Sequence, residues 1–269
     1  MMNIGIDAGG TLIKVAWMKN GSPEFKKFPV ARMEVAAAWI NELGNARICM
    51  TGGKAALLQS KINQKAAEMV EFEATCSGVR FLLARNAISE ESYILTNVGT
   101  GTSIHHVEGD KQQRIGGTGV GGGSILGLSR LLTGLSDYEA IVQLAAKGAR
   151  DRIDLKVSHI YEGAEPPIPG DLTASNFGHV LQLASIDDLT EEERLASVMG
   201  LVGETAATVS VLAAGQCRVS SVIFIGSTFI GNDLLQDVVK RYTKLRGATP
   251  LFIENGEYCG AIGALLSLI

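Results

Sequence analysis

The sequence has few prolines, few aromatic residues and no closely spaced cysteines. Six prolines and four cysteines occur among 269 residues, and aromatic residues make up 6% of the chain. The cysteines lie far apart without a C-x-x-C pair, which favours four reduced thiols. Lysine and arginine form no run, so the chain lacks the electrostatic footprint of a nucleic-acid-binding protein. We therefore expect a cytoplasmic protein with no nucleic-acid partner.

A membrane-spanning or targeting segment is also not predicted. The first residues, MMNIGIDAGG, lack a charged region followed by an apolar core, so we expect no signal peptide. The most apolar long stretch, residues 199–215, contains Glu204 and is short for a membrane span. We therefore expect no membrane partner.

Glycine, in contrast, is abundant and clustered. The chain has 32 glycines, and ten of them lie within residues 99–127. They follow no G-X-Y period, and 46% of the residues are hydrophobic, so neither collagen nor a disordered glycine-rich tract fits. Glycine on this scale in a globular chain indicates turns that bring backbone amides close to a ligand.

The pattern of strands and turns predicts the same architectural unit twice. Each unit is a strand, a glycine–threonine turn and two further strands. The first unit has strands at 3–6, 12–17 and 25–30 around the turn 7–11, and the second has strands at 93–98, 103–108 and 111–115 around the turn 99–102. The two sequences differ, so the repeat is one of architecture. A domain boundary is predicted near 87–92.

The remaining segments predict an α/β protein. Helices are predicted at 35–43, 75–85, 124–132, 138–146, 195–214, 233–242 and 258–268, and strands at 47–50, 70–72, 221–225 and 251–253. A short helix is expected after Gly53, and the prolines at 166–169 predict a rigid loop.

The two glycine–threonine turns are candidate phosphate sites. In the first turn, consecutive amides of Gly9 and Gly10 could bind an anion, and Thr11 and Lys14 add a hydroxyl and a cation. Asp7 could hold Mg²⁺, directly or through water. Taken alone, each turn could equally be an ordinary hairpin turn. Two such turns opening two similar units favour two lobes that clamp one polyphosphate.

The densest glycine run, residues 116–123, leads into an apolar helix whose first amides could also bind an anion. Its glycines fit G-x-G-x-x-G, but the preceding residues 110–115 are polar, whereas a dinucleotide site needs a buried parallel strand there. The Walker A pattern also fails around Lys54. Ser227, at the end of an apolar strand, could meet a nucleoside or could simply end the strand.

Taken together, D-A-G-G-T-x-x-K, N-V-G-T-G-T-S, the glycine-rich helix start and I-G-S resemble the actin, sugar-kinase and Hsp70 ATPase superfamily. Further segments look like type II pantothenate kinases of the bacterial, staphylococcal-like branch. These segments are V-E-F at 70–72, D-L-K-V at 154–157, P-P-I-P-G-D-L-T at 166–173, N-F-G-H at 176–179, E-N-G at 254–256 and G-A-I-G-A at 260–264. They span nearly the whole chain.

This resemblance implies a two-lobed actin-like ATPase fold of the ribonuclease H-like type, with ATP bound in the cleft between the lobes. Residues 1–90 would form the N-terminal lobe and 91–269 the C-terminal lobe, with the dimer interface in the C-terminal lobe and the last helix packing back on the N-terminal one. The implied activity is Mg²⁺-dependent transfer of the ATP γ-phosphate to the 4′-hydroxyl of pantothenate, the first step of coenzyme A synthesis, by a homodimer.

The resemblance also assigns roles to residues. Glu71 matches the catalytic base, a choice that the residues alone leave open among Glu68, Glu71 and Glu73. Arg114 matches the arginine at the pantothenate end of the site, and Thr173 and Tyr242 are weaker matches for the substrate tail, with Tyr242 reaching across the dimer. The implied ATP-binding residues are Asp7, Ala8, Gly9, Gly10, Thr11, Leu12, Ile13, Lys14, Thr100, Gly101, Gly122, Gly123, Ser124, Ile125, Leu126, Tyr138 and Ser227, with Asp7 also as the metal ligand.

Two other functions fit the same fold. One is a kinase for an amino sugar or another small molecule, and the other is an ATP-binding regulator without catalysis. Glu71 and Arg114 argue against the regulator. The four histidines lack metal-ligand spacing, so no further metal site is predicted.

Overall fold

The computed structural model describes residues 2–161 and 163–269. Its first part contains strands β1 (Met2–Ala8), β2 (Leu12–Lys19), β3 (Ser22–Pro29), β4 (Ala46–Thr51) and β5 (Ala67–Glu68), and helices α1 (Met33–Glu42), α2 (Ala55–Gln59) and α3 (Glu71–Arg85). The strands form one sheet in the order β3-β2-β1-β4-β5. β1, β2 and β3 are antiparallel, whereas β4 runs parallel to β1. Alternate residues such as Ile4, Ile6, Ile13 and Val15 are fully buried and form a core with residues of α1.

The rest of the described chain contains strands β6 (Ser92–Val98), β7 (Thr102–Glu108), β8 (Lys111–Thr118), β9 (Leu155–Lys156), β10 (Thr173–Ser175), β11 (Ser221–Ile225) and β12 (Thr249–Phe252), and helices α4 (Gly122–Thr133), α5 (Tyr138–Ala145), α6 (Val157–Tyr161), α7 (Glu191–Cys217), α8 (Asp233–Leu245) and α9 (Cys259–Leu266). Short 3₁₀ helices cover Val30–Arg32, Gly178–Gln182, Ser227–Phe229 and Gly256–Tyr258.

The two five-stranded sheets have the same topology. The second sheet has the order β12-β11-β6-β7-β8, so β6 takes the place of β1 and β11 that of β4. β6, β7 and β8 are antiparallel, and β11 runs parallel to β6. The predicted architectural repeat is therefore confirmed, and each sheet places its glycine turn at the carboxyl end of its first strand.

Helix α7 forms the centre of the second part. Thr190 caps it, accepting a hydrogen bond from the Glu193 amide at 3.2 Å. By length and composition alone it is long and apolar enough to cross a membrane, but most of its apolar stretch is buried inside the protein. Leu195, Met199 and Val202 lie in one core cluster with residues of α5, α8 and β11. It packs as a core helix among these elements.

The last helix packs against the first sheet and against α3 at glycine contacts. A Cβ atom on Gly78 of α3 would lie 2.0 Å from the Cys259 carbonyl oxygen, and one on Gly263 of α9 would lie 1.8 Å from that of Ala74. On β1, a Cβ on Gly5 would lie 2.0 Å from the Ala261 carbonyl oxygen. Only glycine permits this backbone approach. The division at residue 90 stays a prediction.

The strand predicted at residues 70–72 is wrong. Val70 is extended and precedes α3, which begins at Glu71 rather than at Thr75. Glu71 and Glu73 lie in the first helical turn, where carboxylates interact favourably with the helix dipole. Residues two apart in a helix point about 200° apart, so the two carboxylates do not share a face as a strand would require. Other predicted elements are present with boundaries shifted by a few residues.

Candidate active site

The first glycine turn joins β1 to β2 and holds a carboxylate beside an ammonium group. The Gly9 amide donates to the Leu12 carbonyl at 3.0 Å, which closes the turn. Asp7 and Lys14 are direct partners across β1 and β2, and Lys14 Nζ lies 3.4 Å from Asp7 Oδ2. The side chain of Lys14 is only 15% exposed and that of Asp7 only 13%. Partial burial strengthens the attraction of this pair relative to one on the open surface.

The second glycine turn meets the first one directly. The Gly99 amide donates to the Gly101 carbonyl at 2.9 Å, so this turn is closed in the same way. The hydroxyl oxygens of Thr11 and Thr100 lie 3.0 Å apart and share a hydrogen bond. The two predicted phosphate turns, 89 positions apart in sequence, therefore form one polar floor.

The start of α4 is docked onto the second turn. The Gly122 and Gly123 amides donate to the carbonyls of Gly99 and Thr100, both at 2.8 Å. A Cβ on Gly122 would lie 2.6 Å from Thr228 Oγ1, and one on Gly123 would lie 3.0 Å from the Thr100 carbonyl oxygen. The expectation that these two amides bind an anion is therefore wrong, because the turn carbonyls already accept them. The preceding strand, β8, is antiparallel to its neighbour, as expected for a chain without a dinucleotide fold.

A cavity of about 370 Å³ opens above these turns. Eight of the residues predicted to bind ATP line it: Thr11, Leu12, Thr100, Gly122, Gly123, Leu126, Tyr138 and Ser227. Seven further residues complete the lining: Lys27, Pro29, Gly99, Asp137, Glu139, Thr228 and Ile230. Its walls thus come from β3, both glycine turns, α4, the start of α5 and the turn after β11.

Tyr138 is held in the wall of this cavity by two hydrogen bonds. Its hydroxyl donates to the Thr228 carbonyl and accepts a hydrogen bond from Asn232 Nδ2 at 3.0 Å. Burial raises the pKa of the Tyr138 hydroxyl, which Asn232 partly offsets. With its hydroxyl occupied, Tyr138 offers the cavity its ring rather than its polar end.

The other predicted ATP-binding residues do not line this cavity. Ala8, Ile13 and Ile125 are fully buried, so their side chains belong to the hydrophobic core and not to the cavity wall. The Ser124 hydroxyl is engaged at the helix start, where it accepts from the Gly121 amide at 3.3 Å and donates to the Gly119 carbonyl at 3.2 Å. Asp7, Gly9, Gly10, Lys14 and Gly101 belong to the two turns or their flanking strands.

Glu71 lies at the start of α3, close to the Asp7–Lys14 pair. Its side chain is open to solvent, yet surrounding protein and the Asp7 carboxylate raise the pKa of Glu71 above the usual 4.5, against the opposing effect of Lys14. These electrostatic partners place Glu71 near the first turn. Glu68 lies in the preceding strand β5, and Glu73 lies two positions after Glu71 on α3. The choice of Glu71 among the three carboxylates stays a prediction, supported by its electrostatic interaction with Asp7 and Lys14.

Arg114 lies beside Phe72, the neighbour of Glu71. The guanidinium carbon is 6.0 Å from the centre of the Phe72 ring, within the range of cation–π contacts. The other neighbour of that ring is His105, whose ring centre is 4.5 Å away. Burial and the Arg114 charge lower the pKa of His105 to about 4, so this histidine is neutral at pH 7. Arg114 thus lies against the residue that follows Glu71 in α3.

Thr173 and Tyr242 are brought together, but away from the cavity. The Thr173 amide donates to the Tyr242 hydroxyl, which in turn donates to Thr173 Oγ1, both at 2.9 Å. Thr173 Oγ1 donates to Glu204 Oε1 at 2.8 Å. Tyr242 is buried, with 4% exposure. In the described chain these two residues contact one another and α7, and they do not line the cavity.

A buried ionic network surrounds this pair. Arg150 bonds to Asp154 Oδ2 at 2.7 Å through Nε and also pairs with Glu204 through Nη2. Burial by itself would lower the pKa of Arg150. The carboxylates of Glu204 and Asp154 have the larger combined effect, so the pKa of Arg150 is raised. Asn176 Nδ2 donates to Glu204 Oε2 at 3.0 Å. The network ties the loops around residues 150–177 to the central helix.

Several cavity residues were not predicted as site residues. Gly99 and Thr228 are next to predicted ones and could have been found by extending the turn motifs. Lys27 is the less obvious case, because it lies in a strand that looks like an ordinary amphipathic one. Counting strand pairs outward from the turn places Lys27 opposite Lys14, and that is the signal that could have identified it.

The side chains around Asp7 show whether this part of the chain fits a magnesium ion. Among the described residues, no group of three or more His, Cys, Asp or Glu side chains could hold a metal ion. Asp7 is a single carboxylate that two glycines approach closely, because a Cβ on Gly52 would lie 2.8 Å from Asp7 Oδ1 and one on Gly260 would lie 3.0 Å from Asp7 Cγ. Magnesium usually takes one or two carboxylates plus phosphates and water, so Asp7 fits such a site.

Comparisons with known proteins agree with this geometry. In solved structures, the chain is similar to the activator of the 2-hydroxyisocaproyl-CoA dehydratase from Clostridium difficile with bound ADPNP, with a TM-score of 0.62, 14% identity and coverage of 99% of this chain and 94% of that one. It is also similar to a ROK family glucokinase from Streptomyces griseus in complex with glucose and AMPPNP, with a TM-score of 0.56, 15% identity and 99% coverage of both chains. At these identities the likeness shows the fold, and the two-lobed actin-like ATPase fold is confirmed.

The sequence comparisons are more specific. Residues 19–267 match the Fumble family model. The chain is 46% identical over 264 residues to the type II pantothenate kinase of Staphylococcus saprophyticus, covering 98% of this chain and 99% of the relative. It is 45% identical over 264 residues to that of Staphylococcus aureus strain USA300, covering 98% of each. The chain belongs to the Fumble family of type II pantothenate kinases.

Proposed function

We propose that this protein is an ATP-dependent pantothenate kinase that transfers the γ-phosphate of ATP to the 4′-hydroxyl of pantothenate. The observation that carries the proposal is the joining of two glycine turns by the Thr11–Thr100 hydrogen bond, with Glu71 beside the first turn. The high identity to type II pantothenate kinases supports the choice of acceptor. The product feeds coenzyme A synthesis.

The nucleotide would lie in the 370 Å³ cavity. Hydroxyls of Thr11 and Thr100 would donate hydrogen bonds to phosphate oxygens, together with the turn amides other than those of Gly9 and Gly99. The Gly9 and Gly99 amides are already engaged, because they donate to the carbonyls of Leu12 and Gly101. The Tyr138 ring, Leu126 and Ser227 would border the nucleoside at the opposite end of the cavity. Positioning and charge neutralisation supply most of the catalysis in phosphoryl transfer.

Glu71 would act as the general base. Its carboxylate accepts the proton of the 4′-hydroxyl as that oxygen bonds to phosphorus and the bond from phosphorus to the leaving ADP oxygen breaks. Because the surroundings raise the pKa of Glu71, the carboxylate is a better proton acceptor than an ordinary surface glutamate. Lys14 would neutralise negative charge on the phosphates.

Magnesium would be held at Asp7, where it would neutralise phosphate charge when bound. Gly52 and Gly260 pack closely against Asp7, whose side chain keeps 13% of its surface exposed. Lys14 holds the Asp7 carboxylate in place through the 3.4 Å ion pair.

Arg114 would bind the carboxylate end of pantothenate. A guanidinium presents paired donors that match a carboxylate, and the contact with Phe72 keeps Arg114 next to the helix that carries Glu71. Thr173 and Tyr242 would line the substrate tail, with Tyr242 reaching across the homodimer. Their hydrogen bonds to each other and to Glu204 would hold them in a fixed orientation.

The exposed apolar side chains favour a homodimer. Large exposed hydrophobic residues concentrate in the segment that carries Thr173: Ile160, Tyr161, Ile168, Leu181 and Ile186. A monomer would leave this surface in water, whereas a second copy would cover it. The four cysteines are unpaired, which is consistent with a cytoplasmic enzyme.

An acceptor panel tests the proposed substrate. Purified protein is incubated with radiolabelled ATP and magnesium, and with pantothenate, glucosamine or N-acetylmannosamine as acceptor. We expect label transfer to pantothenate alone. Transfer to a hexosamine and none to pantothenate would replace the proposal with an amino-sugar kinase. Tight ATP binding without transfer to any acceptor would indicate a regulator.

A further inference from the structure

Lys27 is a residue of the cavity wall to which no role has been assigned so far. It lies on β3, and its exposed side chain borders the cavity together with Pro29. Among the described residues that line the cavity, Lys27 is the only cation, and Asp137 and Glu139 are the acids. Lys27 takes part in none of the ion pairs found in the described chain.

Strand pairing places Lys27 directly beside Lys14. The register pairs Asp7 with Lys14 across β1 and β2, and Lys14 with Lys27 across β2 and β3. Directly opposite residues of antiparallel strands share a face of the sheet, with Cβ atoms about 4.5–5.5 Å apart. One carboxylate and two ammonium groups therefore form a row across the cleft face of the sheet, and only Lys14 has a carboxylate next to it.

This arrangement is unfavourable without a ligand. Like charges directly opposite on antiparallel strands destabilise the pairing. The neighbouring residue Lys26 shows the alternative: it points to the other face and lies over the Trp39 ring at 4.7 Å. A polyanion in the cavity would relieve the repulsion between Lys14 and Lys27. The free energy released in this way would favour binding of the polyanion.

We propose that Lys27 is a second phosphate-binding cation of the nucleotide site, acting beside Lys14 from the part of the cavity wall that β3 forms. This inference rests on the proposed function, because it requires a nucleoside triphosphate in the cavity. Lys27 would contact the phosphate chain and not the nucleoside. Its effect would fall on ATP affinity, and the pantothenate end of the site would be unaffected.

A set of matched variants tests the inference. Dissociation constants for ATP and for adenosine are measured with magnesium for the unchanged chain, Lys27→Ala, Lys27→Arg and Lys26→Ala. We expect Lys27→Ala to weaken ATP about 10-fold, the size of one charge-assisted contact, and to leave adenosine unchanged. Lys27→Arg keeps the charge and should retain most of the affinity, and Lys26→Ala should bind ATP as the unchanged chain does.

Salt dependence and kinetics give independent readouts. Lys27→Ala should lower the slope of ATP affinity against salt concentration, because one fewer cation meets the phosphates. It should raise the KM for ATP while kcat and the KM for pantothenate stay within about twofold, since the base and acceptor sites are untouched.

Three results would overturn the inference. Undiminished ATP affinity of Lys27→Ala would do so, as would an equal loss for adenosine. An equal loss of ATP affinity in Glu139→Gln would instead indicate that Lys27 closes the cleft through an ion pair with α5. If the unchanged chain failed to bind ATP, the proposed function would fall together with this inference. If the unchanged chain binds ATP and Lys27→Ala binds it equally well, only this inference fails.

Discussion

The hydroxyl oxygens of Thr11 and Thr100 lie 3.0 Å apart, although 89 positions separate them in the sequence. Each belongs to the glycine turn at the end of the first strand of its own sheet, so this one hydrogen bond joins the two repeated units. A ligand that lies over both turns would meet the two hydroxyls together. The contact is therefore the structural basis for a single phosphate site made by two similar units.

The first prediction concerns that hydrogen bond. Thr11→Val keeps the shape of the side chain but removes its hydroxyl, so we expect about 10-fold weaker ATP binding from the loss of a polar contact to phosphate. Thr11→Ser keeps the hydroxyl and is the matched control. Calorimetric titration with ATP checks this, and equal affinities of Thr11→Val and Thr11→Ser would contradict it.

The second prediction concerns the base. Glu71→Gln should lower kcat by at least about 100-fold, because the amide cannot take the proton of the attacking hydroxyl. ATP affinity should change little, since Glu71 does not line the nucleotide cavity. Steady-state kinetics and ATP titration check both parts. Glu73→Gln, two positions along α3, is the control and should keep most of the activity; turnover of Glu71→Gln like that of the unchanged enzyme would rule out this base.

The third prediction concerns pH. The reactive form of Glu71 is the carboxylate, and its pKa is raised by partial desolvation by the surrounding protein and by the Asp7 carboxylate. The rate should therefore fall as the pH drops through this raised pKa, with the acid limb of kcat/KM above pH 4.5. Lys14 lowers the pKa of Glu71, so Lys14→Met should move the limb to higher pH even if its overall rate is low. A limb at or below 4.5 in the unchanged enzyme, or a limb that moves down in Lys14→Met, would disagree with this.

The fourth prediction concerns the buried network at Arg150. Glu204→Ala removes one of the two carboxylates that neutralise this buried guanidinium and should lower the free energy of unfolding by about 3 kcal/mol. Urea unfolding measures it. The exposed pair Lys19–Glu24, with side chains 63% and 42% exposed, is the comparison, and Glu24→Ala should cost at most about 1 kcal/mol. Similar losses of unfolding free energy in the two variants would show that the Arg150 network stabilises the fold no more than an exposed ion pair does.

Much of the fold follows from local sequence signals. The alternation of apolar residues around Gly9 and Gly10 predicts β1 and β2, and the same pattern around Gly99 predicts β6 and β7. The positions of β4 and β11 in their sheets do not follow from local sequence signals, because parallel pairing depends on distant parts of the chain. Short apolar segments are ambiguous as well: V-E-F at 70–72 looks like a strand, and only the packing of α3 against α9 shows that Glu71 begins a helix.

The site is predicted less completely than the fold. The turn residues Thr11 and Thr100 are found by their motifs, but their contact with each other is not, since it depends on how the two sheets meet. Lys27 is missed because a lysine on an amphipathic strand normally faces solvent. The amides of Gly122 and Gly123 looked free in the sequence, and only the structure shows that carbonyls of the second turn accept them.

The most direct test of the whole account is a coupled assay of ADP release, with magnesium and ATP, in the presence and absence of pantothenate. We expect rapid ADP release that depends on pantothenate and that falls at least about 100-fold in Glu71→Gln. ADP release that is independent of pantothenate, or that continues unchanged in Glu71→Gln, would contradict it.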